Sequence, residues 1–216
     1  PAVDPSDVEA LGLTGQMHGS VFLDDGEVLR PAILWNDTRT SAQCDEIEKK
    51  IGADRIIELA SNPPFEGFTA PKILWVREHE PEIYDQTDAI LLPKDYIRYE
   101  LTGEFATDVS DASGTLLLDV GERDWSPEIL EELDISRDLL PEVYESPEVT
   151  GAVTDAVAER TGLPAGTPVV AGAGDNAAGA VGSGVVGDGD VWGSIGTSGV
   201  VFVATDDERT DPEGRV

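Results

Sequence analysis

The sequence has one cysteine, Cys44, in 216 residues, which excludes an internal disulfide and any zinc site built from several cysteines. Basic residues are scarce. Fourteen lysines and arginines stand against 44 aspartates and glutamates, a formal net charge of -30, and the lysines are only Lys49, Lys50, Lys72 and Lys94. Such a chain repels nucleic acid and anionic lipid, because their phosphates need cations to displace counterions. No apolar run is long enough to span a bilayer and no signal-peptide pattern is present, so no membrane partner is expected and cytoplasm is the expected location. His18 and His79 have no partners at metal-ligand spacing, and no G-x-S-x-G motif is present to give His18 a nucleophilic serine.

A hydrophobic content of 40%, with Trp35, Trp75, Trp125 and Trp192, is enough for a folded core and argues against disorder. The carboxylates are spread along the chain, as on the surface of a protein from an organism living in high salt, where screening relieves self-repulsion. The chain starts at Pro1 and stops soon after a strand-like run, and is expected to be a piece of a longer protein.

Short apolar runs at 11–13, 20–23, 31–35, 88–93 and 168–171 read as strands, with Asp24-Asp25-Gly26 as a hairpin turn. Helices are expected over 41–51, from Thr69 as cap to before Pro81, over 94–101, from Ser126-Pro127 to Leu133, and over 154–161. Strands alternating with helices give an α/β fold with at least partly parallel pairing. After Ser183 the pattern changes to two β-rich runs around Thr197-Ser198, a hairpin, and a domain boundary is placed near 183–189.

Residues 168–183, P-V-V-A-G-A-G-D-N-A-A-G-A-V-G-S, read as strand, glycine turn and helix, which puts Asp175 and Asn176 at the mouth of a sheet. The G-x-G-x-x-A match invites a dinucleotide reading, but Asp175 would set a negative charge among amides that must receive a pyrophosphate. Asp175 is then a helix N-cap, a substrate-facing base, or both. Gly193 to Gly199 is an ordinary hairpin turn or a cradle of N–H groups for phosphate oxygens, and no Walker-type lysine follows it. Asp37 with Arg39, and Asp108 with Asp111, read as polar clusters at surface or loop positions.

Several stretches in the same order resemble the FGGY family of carbohydrate kinases: Gly15-Gln16-Met17-His18-Gly19, Pro31-Ala32-Ile33-Leu34-Trp35-Asn36-Asp37, Gly67 to Trp75, Leu91 to Tyr96, Gly172 to Gly179, and Ile195 to Gly199. The Met17-His18 pair resembles the branch of the family that acts on xylulose; the glycerol branch carries Arg-Glu there. The resemblance implies two ribonuclease-H-like (actin-like ATPase) domains with sugar and ATP in the cleft between them. Residues 1–183 would be most of the sugar-binding domain and 184–216 the start of the ATP-binding domain. It also implies γ-phosphoryl transfer from MgATP to the 5-hydroxyl of D-xylulose. By position, Asp175 would be the base, and Met17, His18 and Asn176 would hold the sugar. The turn Gly196-Thr197-Ser198-Gly199 would face the ATP phosphates. An amino-terminal D-x-G-T hairpin with an Mg²⁺-associated aspartate would precede Pro1, and the adenosine-binding remainder would follow Val216, so no metal ligand is assigned within the chain. This piece alone is expected to be inactive and, with open strand edges, prone to self-association as a homodimer. Kinases for ribulose, fuculose, gluconate or glycerol, a non-catalytic sugar-binding protein and a dinucleotide oxidoreductase are the rival readings.

Overall fold

The computed structural model describes residues 4–195 and 199–214. The apolar run around Phe22 becomes the middle strand of a three-stranded antiparallel sheet. Val21–Asp24 pairs with Glu27–Val28 on one side and Ala89–Leu91 on the other. Asp25 and Gly26 turn the hairpin with positive φ values of 50° and 79°, as its strand twist requires. Successive side chains point to opposite faces of a strand, and here both faces are covered. Phe22 and Ile90 join the main core with Ile47, Ile73 and Leu116, whereas Val21, Leu23, Ala89 and Leu91 pack under Tyr96 and Tyr99.

Parallel pairing occurs where the site forms. Thr14–Gly15 pairs with Ala173–Gly174, and Ala106–Asp108 pairs with Glu142–Tyr144. The strand Pro168–Val170 pairs antiparallel with Val149–Ala152 and is bridged in parallel by Leu11. The expected hairpin is present as Val191–Ile195 against Gly199–Val203, its faces largely exposed, with Ile195 95% and Val201 78% accessible.

Helix punctuation follows local chemistry at several ends. Ser126 and Thr154 accept from the N–H groups of Ile129 and Val157, each at 3.4 Å, and Gly103 and Gly162 close their helices in the left-handed conformation. The 69–79 helix is different. Phe68 occupies the cap position, and the Thr69 hydroxyl donates instead to the His18 carbonyl at 3.1 Å. Three helices, Ala53–Ala60, Pro81–Gln86 and the short Val109–Ala112, were not expected from the pattern; the first buries Ile56, Ile57, Leu59 and Ala60.

Candidate functional site

The polar insert after Thr14–Gly15 folds back on itself at His18, which has φ 68°. A non-glycine residue in that region costs on the order of 1 kcal/mol or more, so neighbouring contacts must hold it. They do so from three directions. The His18 carbonyl accepts from Thr69 Oγ1 and from Lys72 Nζ at 2.7 Å, and Lys72 also donates to Gly67 O. The ring Nδ1 lies 2.6 Å from Gly114 O, and Phe68 meets the imidazole edge-on at 4.7 Å. A carbonyl can only accept, so Nδ1 carries the proton. Burial pulls the imidazole below its usual pKa; the Gly114 bond opposes this, Lys72 adds to it, and Asp175 opposes it. His18 is therefore neutral at pH 7, with Nε2 left as an acceptor for a hydroxyl. Lys72 is itself buried, and desolvation lowers its amine to about 8 against the opposing pull of Asp37.

Two glycines make room for this turn. A Cβ at Gly114 would stand 2.6 Å from His18 Nδ1 and Cε1, and one at Gly174 would stand 2.9 Å from Met17 Sδ. The close approach places Met17 and His18 beside the strand that leads into the helix Asp175–Gly182. Gly174 occupies the cap of that helix and Asp175 is its first residue, so the capping reading of Asp175 does not hold. Its side chain is exposed and, among the described residues, accepts no hydrogen bond and forms no ion pair.

Gln16, Met17, His18, Trp35, Asp175, Asn176, Ser194 and Val200 line one cleft of about 340 Å³. Four of the expected site residues, Met17, His18, Asp175 and Asn176, thus meet although 157 positions separate His18 from Asp175 in the numbering. Trp35, Gln16, Ser194 and Val200 were not singled out as ligands, though Gln16, Trp35 and Ser194 lie in the motif stretches. Gly196, Thr197 and Ser198 lie outside the described residues. Gly199 opens the returning strand and pairs with Ile195. A larger hollow near Asp54, Ile57 and Thr210 contains none of the expected site residues.

Behind the cleft, Asp108 and Asp111 are fully buried rather than at the surface, which corrects the sequence expectation; Asp37 and Arg39 do pair near the surface, at 2.7 Å. The reason is Lys94. Its ammonium sits 2.5 Å from Asp95, 3.1 Å from Asp108 and 3.9 Å from Asp111, all side chains without solvent contact. One ammonium faces three carboxylates. Burial pulls Lys94 down, but the three carboxylates outweigh it and hold the amine above its usual value. Burial raises Asp111 well above the ordinary carboxylate range, and Asp95 reinforces the shift; neither Asp111 oxygen has a hydrogen-bond partner among the described residues. Two of only four lysines, Lys72 and Lys94, are thus buried around one cleft in an acid-rich chain, a pairing that local patterning does not show.

Comparison with known proteins places this geometry in context. The family model described as "FGGY family of carbohydrate kinases, N-terminal domain" matches residues 2–182. The xylulose kinase of Escherichia coli (strain K12) is 53% identical over 211 residues, covering 97% of this chain and 43% of that protein. The crystal structure of a xyloylose kinase from Brucella ovis superposes with a TM-score of 0.89 at 42% identity, covering 97% of this chain and 43% of the other. A gluconate kinase from Lactobacillus acidophilus reaches the same TM-score at 25% identity, over 95% of this chain and 42% of its own. The chain spans less than half the length of these relatives. The α/β fold is the expected ribonuclease-H-like, actin-like one. With the family model spanning most of its residues, the chain belongs to the FGGY family of carbohydrate kinases.

Proposed function

We propose that this chain supplies the sugar side of an ATP-dependent kinase that phosphorylates the 5-hydroxyl of D-xylulose. The observation that carries the reading is the single cleft that gathers Met17, His18, Asn176 and an unengaged Asp175 carboxylate. The names of its relatives favour xylulose. The gluconate kinase has the same backbone agreement, so the choice of sugar rests on side chains rather than fold. In the proposed reaction, the sugar hydroxyl oxygen bonds to the γ-phosphorus as the bond from that phosphorus to the bridging oxygen of ADP breaks. Asp175 takes the hydroxyl proton. Phosphoryl transfer depends on placement and charge stabilisation more than on a strong base, which suits a carboxylate held at the start of a helix. Neutral His18 would accept from a sugar hydroxyl through Nε2, Asn176 would offer an amide to another, and Met17 with Trp35 would pack on the carbon skeleton.

The domain division at 183/184 belongs to this proposal, with the 191–203 hairpin as the first part of the ATP side. Residues Gly196 to Gly199 would receive the phosphates, and Ser194 lines the cleft. Magnesium would neutralise the triphosphate. Among the described residues no three acidic, histidine or cysteine side chains gather to hold a metal, so no ligand is assigned to them. A cytoplasmic, salt-adapted enzyme fits the net charge of -30, and among the described residues no helix is long and apolar enough to cross a membrane. The exposed faces of the hairpin would carry a homodimer contact, and sedimentation of the chain over a concentration series checks that part.

Coupled ADP release by the full-length gene product, with a panel of ketoses, polyols and gluconate, tests the reading. D-xylulose is expected to give the highest kcat/KM, and Asp175→Asn to lower kcat by roughly 10²–10⁴-fold. Turnover retained in Asp175→Asn would remove the base, and a stronger response to gluconate or glycerol would remove the sugar assignment.

A further inference from the structure

Between the strand Pro168–Val170 and the helix Asp175–Gly182, the chain makes a turn at 171–174 whose backbone polar groups are taken up by other parts of the molecule. The Ala171 N–H donates to Glu148 O at 2.9 Å, Gly172 N–H to Ser146 O at 3.1 Å, and Ala173 N–H to Leu13 O at 3.1 Å. Two further contacts come from side chains. Lys94 Nζ donates to Ala171 O at 2.9 Å, and the Gly174 N–H donates to Ser110 Oγ at 3.1 Å.

These two side chains meet on one carboxylate. Asp108 Oδ1 lies 3.1 Å from the Lys94 ammonium. Asp108 Oδ2 accepts from the Ser110 hydroxyl at 2.6 Å, the Ser110 N–H at 2.9 Å and the Ser146 hydroxyl at 2.9 Å. The direction of the chain of bonds is forced. The Gly174 amide can only donate, and Asp108 Oδ2 already accepts from the Ser110 N–H, so Ser110 Oγ receives one hydrogen and gives its own. A hydroxyl polarised by a buried carboxylate is a stronger acceptor for the next amide.

The geometry points to Ser110 as a positioning residue for Asp175 and Asn176, fastening the cap of their helix to the Asp108–Lys94 pair. This inference rests on the catalytic reading of Asp175. Gly174 is both the cap of the helix and the neighbour of Met17, so one hydrogen bond sets the base and the sugar-binding turn against each other. Ser110 touches no substrate; its effect passes through the backbone.

The test uses the full-length gene product with D-xylulose and ATP. Ser110→Ala removes the hydroxyl and is expected to lower kcat by roughly 10- to 100-fold, since displacements near 1 Å are enough for losses of that size. The melting temperature should stay within a few degrees, and Ser110→Thr, which keeps the hydroxyl, should restore most of the rate. A kcat for Ser110→Ala within twofold of the parent would overturn the assignment, as would a loss that Ser110→Thr fails to recover. Amide exchange of Gly174 in the unsubstituted protein is independent of how the variants fold. Protection matching the surrounding strands is expected, and exchange at the rate of an open loop would also overturn it. Asp175→Asn separates the two claims: full activity there removes the base, whereas its loss beside an unimpaired Ser110→Ala removes only the positioning role.

Discussion

Gly114→Ala isolates the packing that shapes the sugar-facing turn. Gly114 has no positive φ, so its backbone accepts alanine and the effect is steric. The new methyl would stand 2.6 Å from two atoms of the His18 ring and 2.9 Å from Met17 Cε. To reach ordinary contact the ring must retreat by roughly 1 Å. Phe68 stands against the ring on the protein side, so the ring moves toward the cleft. Overpacking of this kind costs about 1–3 kcal/mol. The free protein escapes it by displacing the ring, but sugar binding demands the ring back in place. The strain is therefore taken from the binding energy, a rise in the KM for D-xylulose of roughly 5- to 150-fold. Gly182→Ala is the control: it ends the helix that carries Asp175, and nothing stands within 4 Å of its added methyl. There KM should not change, and stability should rise by up to about 1 kcal/mol. Steady-state kinetics of the full-length gene product, with calorimetric melting, reads both. A KM within twofold of the parent in Gly114→Ala, or an equal rise in Gly182→Ala, would refute the reasoning.

Three further outcomes are expected. Lys94→Met leaves three buried carboxylates without their cation and should lower stability by about 3–5 kcal/mol in urea at pH 7. Because burial already raises Asp95 and Asp111, the folded variant holds protons that the unfolded chain gives up, so the loss should shrink toward pH 5; a loss independent of pH would contradict this. For Lys72 the sign is opposite. Its folded value of about 8 lies below the unfolded one, so between pH 8 and about 10.5 the unfolded chain binds the extra proton and stability gains up to about 3 kcal/mol with rising pH, a slope that Lys72→Met should abolish. With a net charge of -30, the melting temperature should climb between 0.1 and 1 M KCl as the screening length falls from about 10 to 3 Å; a flat profile would remove the salt-adapted surface.

Much of this architecture is readable locally because the deciding interaction spans only a few residues. Ser126 caps at Ile129 and Thr154 at Val157, three positions apart, and Asp25-Gly26 turns its own hairpin. What escaped reading depends on distance along the chain. Thr69 looks like a cap until the His18 carbonyl, 51 positions away, takes its hydroxyl. Asp108 looks like a loop acid until Lys94 from one helix, Ser146 from beyond a strand and, through Ser110, Gly174 close around it. The helix Ala53–Ala60 is hidden for another reason: it follows the preceding helix with only Gly52 between them, so its apolar face merges with its neighbour's pattern. At the cleft, the residue types of Met17, His18, Asp175 and Asn176 were legible. Gly174 stood out as a turn glycine, but Gly114, which makes room for the His18 ring, did not, since an absent side chain leaves no mark on hydrophobic periodicity.

Burial of Lys72 and Lys94 also determines how the molecule meets amine chemistry. The remaining lysine side chains, Lys49 and Lys50, are exposed and adjacent at the end of the helix Ser41–Ile51. Within this chain, reagents aimed at lysine side chains will therefore collect at one helix end. A tether placed there fixes the molecule in one orientation, and a fluorophore placed there reports from one known position.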